Sequence, residues 1–69
     1  MHNLQKNRTS VLIVEDHSEE LRRYVNYARR IHWGVTGVSS YQEAFSALQK
    51  RDFTAVFVDL FLSETTHPE

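Results

Sequence analysis

Thr54-Ala55-Val56-Phe57-Val58-Asp59-Leu60 is the stretch whose reading decides the fold. It is a short apolar run of β-type residues that ends on one carboxylate, Asp59. Its pattern is continuous rather than alternating, which predicts a strand covered on both faces. Ser10-Val11-Leu12-Ile13-Val14-Glu15-Asp16 repeats the design and ends on two acids. A buried helical turn would also be apolar throughout. The run at Val11 to Val14 is too short and too β-branched for that, and acids stop it. Two such strands predict one site at the carboxyl ends of a parallel sheet, holding Glu15, Asp16 and Asp59.

The segments between them read as helices and one weak strand. His17-Ser18-Glu19-Glu20 looks like a helix start, with Ser18 or Asp16 as cap and the two glutamates suited to the positive end of the helix dipole. Leu21, Tyr24, Val25, Ala28 and Ile31 follow at helical spacing on one face. Arg29 and Arg30 suit the last turn, and Gly34 is the expected stop. The arginines at 22, 23, 29 and 30 read as a solvated face, because no aromatic platform for nucleic acid accompanies them. Trp33 to Val38 reads as a weak strand, and its glycine and polar content suit a sheet edge. Ser40 and Glu43 have capping-box spacing. Ala44, Phe45, Ala47 and Leu48 supply the apolar face of that second helix, which ends at Lys50-Arg51-Asp52. The order β-α-β-α-β predicts a parallel sheet with right-handed crossovers. If strand one lies between strands two and three, the helices cover opposite faces, and the acids fall at the topological switch point where open α/β sheets bind ligands.

Composition narrows the function. The chain has 69 residues, room for one small domain with a marginal core. Eight basic and nine acidic residues nearly balance, so nothing in the charge points to nucleic acid or an anionic membrane. There is no cysteine, which excludes disulfides and thiolate metal sites and suits the cytoplasm. The longest strictly apolar runs are four residues, far short of a membrane span. Residues 1–9 read as a flexible leader, 10–62 as the domain, and 63–69 as a polar loop or disordered tail. The four histidines show no metal-ligand spacing.

Carboxylates converging in a crevice repel one another, and a hard divalent cation relieves that repulsion. A carboxylate beside such an ion can also act as a nucleophile toward phosphorus. Asp59, alone at a strand end, suits the nucleophile. Glu15 and Asp16 suit the metal, although acids after strands can simply cap helices or face water.

Val11-Leu12-Ile13-Val14-Glu15-Asp16-His17 resembles the opening of response-regulator receiver domains, an apolar strand followed by an acidic pair. Val56-Phe57-Val58-Asp59-Leu60-Phe61-Leu62 resembles their phosphoacceptor strand, and Tyr41-Gln42-Glu43-Ala44 their second-helix opening. The resemblance covers about Val11 to Leu62. It implies a flavodoxin-like (CheY-like) sheet, here cut to β-α-β-α-β. It implies that Asp59 accepts a phosphoryl group from a histidine kinase or phosphotransfer protein. It also implies that Mg2+ is held by Glu15, Asp16, Asp59 and the backbone carbonyl of Phe61. The family's later serine or threonine and its later lysine have no counterpart here, and Ser63 stands where a proline is usual.

The expectation is a signalling module rather than a turnover enzyme, with no membrane or nucleic-acid partner. The outer edge of strand three should pair with another copy or a complementary fragment. A degenerate receiver that serves only as an interaction piece is the alternative. A haloacid-dehalogenase-like phosphatase would need a second aspartate where Phe61 stands. A dinucleotide-binding turn would need glycines where Glu15-Asp16-His17-Ser18 stands.

Overall fold

A computed structural model describes residues 9–60. The elements are β1 (Ser10–Glu15), α1 (Ser18–Arg30), β2 (Gly34–Val38), α2 (Tyr41–Lys50) and β3 (Ala55–Asp59). The strands form one parallel sheet in the order β2-β1-β3. The two helices cover opposite faces. Val11 and Ile13 pack with Ala28 of α1, supported by Leu21, Trp33, Val35 and Ala55. Leu12 and Val14 pack with Ala44 of α2, supported by Val38, Ala47, Phe53 and Leu60. The central strand therefore carries both halves of the core, which is why its apolar run does not alternate. The proposed leader up to Arg8, and the stretch from Phe61 onward with its tail, lie outside the described residues.

The helix ends are built differently from the expectation. His17, not Ser18 or Asp16, is the cap of α1, and its side chain makes no capping bond. At the other end α1 stops at Arg30 without using Gly34, which begins β2. His32 takes the left-handed conformation instead, with φ 67°. Its N–H donates to the Arg29 carbonyl (2.9 Å), and the Trp33 N–H donates to the Ala28 carbonyl (3.0 Å). This paired closure is the one glycine usually serves. Here the indole of Trp33 packs into the core beneath it. The Ser40 hydroxyl accepts from the Glu43 N–H (3.1 Å), as the capping-box spacing predicts. The return bond is shifted by one residue: the Glu43 carboxylate accepts from the N–H of Ser39 (2.8 Å), not of Ser40. On β2, a methyl group at Gly37 would lie 2.8 Å from Val25 Cγ2 and 3.0 Å from Leu21 Cδ1. The absent side chain lets α1 sit close on that edge strand.

Two burial expectations fail. The sequence predicts cover on both faces of β3, yet Val56, Phe57 and Val58 are 42, 50 and 53 % exposed. The face of α2 at Phe45 and Leu48 is also open, as are Tyr24 and Ile31 at the margin of α1. α1 packs over β1 and β2, and α2 over β1. Neither helix covers β3, so among the described residues Val56, Phe57 and Val58 have little to bury against. Among the described residues no helix is long and apolar enough to cross a membrane.

Candidate functional site

β1 and β3 run parallel and in register, which places Glu15 opposite Asp59 at their carboxyl ends. Glu15 is the last residue of β1 rather than the start of the following loop. Alternation along β1 puts it on the α1 side with Val11 and Ile13. It is 2 % exposed, the one buried charged residue among those described. One carboxylate oxygen, Oε2, accepts from the His17 backbone N–H at 2.9 Å and lies 3.3 Å from His17 Nδ1. No lysine or arginine pairs with it among the described residues. Burying a carboxylate without a cation is unfavourable. The first turn of α1 lies beside it, and the partial positive charge of that helix end offsets part of the penalty.

Asp16 follows, exposed, with Oδ1 3.5 Å from His17 Nδ1. Ligand atoms of Glu15, Asp16 and His17 lie within 4.8 Å of one another. His17, which has no assigned role in the sequence reading, thus joins the acids. The signal was its adjacency to them: the strand-to-helix turn folds the imidazole back over the pair. Glu15 and Asp16 offer oxygens that could hold a hard divalent cation, with water completing an octahedron. The imidazole adds a nitrogen, a donor suited to zinc or other transition metals.

Asp59 stands apart from this group. It is exposed, and its Oδ2 accepts from the Tyr24 hydroxyl at 3.1 Å. That bond, followed by burial and the nearby negative charges, raises the Tyr24 phenol above its ordinary value of 10.0. From the sequence, Tyr24 reads only as part of an apolar face. Its position four residues before Ala28 turns its ring toward β3, and its hydroxyl reaches the acid there. Phe61, the proposed carbonyl ligand, lies outside the described residues.

Beside Asp59, a groove of about 920 Å³ runs between α1 and β3. Tyr24, Tyr27, Trp33 and Phe57 line it, so its walls are largely apolar, with Asp59 also in the lining. No family model, curated protein or solved structure matches this chain.

Proposed function

We propose that this chain is a receiver-type phosphoacceptor module of a two-component phosphorelay, in which the three strands and two helices among the described residues are the opening of a flavodoxin-like (CheY-like) arrangement. The observation that carries the reading is the register of Glu15 with Asp59 at the carboxyl ends of adjacent parallel strands, with Asp16 one residue on. An oxygen of Asp59 attacks the phosphorus of a phosphohistidine on a histidine kinase or phosphotransfer protein. The new O–P bond forms as the N–P bond breaks, and the electron pair returns to the imidazole nitrogen. Asp59 is exposed, so a partner's phosphohistidine can reach it. Glu15 and Asp16 would hold Mg2+, which supplies charge neutralisation for the phosphoryl oxygens. Tyr24 holds one oxygen of Asp59, and that bond must open if this oxygen is the nucleophile. The module transfers a signal and does not turn over substrate, and we place it in the cytoplasm, which suits a chain without cysteine.

The test is intact-protein mass after incubation with Mg2+ and acetyl phosphate. The expected result is one added phosphoryl group on the wild type and none on Asp59→Asn. Circular dichroism run in parallel confirms that both proteins are folded. A folded wild type that takes up no phosphoryl group and is unaffected by beryllofluoride overturns the proposal.

A further inference from the structure

Among the described residues the outer edge of β3 has no neighbouring strand, and it carries a pattern that exposure alone would not require. The Gly34 N–H donates to the Thr9 carbonyl at 2.8 Å, and Ser10 meets Thr54 through both its N–H and its carbonyl. Thr9, Val11 and Ile13 therefore turn their backbone groups toward β2, and Ser10, Leu12 and Val14 turn theirs toward β3. With Val11 level with Ala55 and Ile13 with Phe57, the parallel ladder on β3 is made by Ala55, Phe57 and Asp59. The N–H and C=O groups of Val56 and Val58 then point outward from the sheet. These two residues are symmetric about Phe57. An antiparallel copy of the same edge, related by a two-fold axis at Phe57, sets Phe57 opposite its own counterpart and Val56 opposite Val58. Every outward donor then meets an outward acceptor. A dyad placed between residues would set outward groups against inward ones.

Side chains and charge agree with that register. Val56 meets Val58 of the second copy on one face of the sheet, and the two Phe57 rings meet on the other. The strand has no lysine, glycine or proline to discourage pairing. The two Asp59 carboxylates end about 13 Å apart, whereas in-register parallel pairing would set them side by side. A formal net charge of −1 gives two copies little reason to repel. The exposed rings of Tyr24 and Tyr27 lie beside Phe57 in the groove along the edge and widen the apolar surface that a second copy would cover.

We propose that the outer edge of β3 pairs with a second copy of this chain, antiparallel and centred on Phe57, to give a continuous six-stranded sheet in the order β2-β1-β3-β3-β1-β2. The pairing rests on the edge and not on phosphorylation, so it stands or falls independently of the role given to Asp59.

Sedimentation equilibrium of the full chain across micromolar to millimolar concentration tests it. The expected mass is twice the chain's 8.1 kDa. Phe57→Lys should shift the protein to the monomer with its circular dichroism retained, because it sets two ammonium groups against each other on the dyad. A second variant does not depend on how a charged side chain is tolerated at this position. The chain has no cysteine, so Phe57→Cys can form a disulfide only with another copy, and it should cross-link on mild oxidation. Gln49→Cys, exposed on α2, should not. A wild type that is monomeric throughout, as when a segment of its own chain covers the edge, overturns the proposal. So does assembly beyond the dimer, or cross-linking that is no faster at position 57 than at position 49.

Discussion

Replacing Glu15 by methionine should make the protein more stable and remove its response to divalent cations. Glu15 is almost fully buried, its volume is close to that of methionine, and no lysine or arginine pairs with it among the described residues. Releasing a desolvated polar group of this kind returns about 1–3 kcal/mol. Burying the methionine side chain adds about 1.5–3 kcal/mol. Against this stands the lost bond from the His17 N–H, a charge-assisted contact worth about 1.5–3 kcal/mol. His17 itself is exposed, so water can replace the acceptor. The net is stabilisation on the order of 1 kcal/mol, or about 4–8 °C in Tm for a domain this small. Wild-type Tm should rise on titration with Mg2+ or Mn2+, since an ion that binds only the folded state stabilises it. The variant's Tm should not change with either ion. Thermal melts by circular dichroism, with and without each ion, read both effects. A Glu15→Met protein that melts below wild type would show that the carboxylate serves the fold. A persisting metal response would show that the ion binds elsewhere. Either result refutes the argument that stability is given up here for a ligand site.

Other positions test the rest of the structure. Ser40→Ala removes the acceptor for the Glu43 N–H and should cost about 1 kcal/mol, lowering Tm by roughly 4–8 °C in thermal melts. His32→Gly relieves a side chain held at φ 67° and should raise Tm by a few degrees, a net gain of about 0.5–1 kcal/mol after the added freedom of the unfolded chain. The raised Tyr24 phenol contributes stability that is complete below pH 10.0 and lost as pH climbs through its higher folded-state value. Denaturant melts should therefore lose stability in that alkaline window for wild type, and lose less for Tyr24→Phe.

Local pattern was enough for much of this fold. The unbroken apolar run at Val11 to Val14 could be satisfied only by cover on both faces, and the structure supplies it with one helix on each side. The alternation of strand-like and helix-like segments dictated a parallel sheet. The weak, glycine-containing run before Val38 does lie at an edge. The spacing of Ser40 and Glu43 marked a helix start that is observed. These features depend on periodicity and on short-range backbone hydrogen bonding, both of which are written in neighbouring residues.

What neighbours could not determine was cover. Val56-Phe57-Val58 has the same apolar character as the central strand, yet it is half exposed, because a strand's burial depends on which elements lie over and beside it. The burial of Glu15 likewise follows from its place at the end of the central strand under α1. Asp59, on the open strand, remains in solvent, where Tyr24 meets it from across the groove. The sequence determined that acids end two strands. Packing alone made them unlike: one is enclosed beside His17, the other exposed at the edge of the sheet.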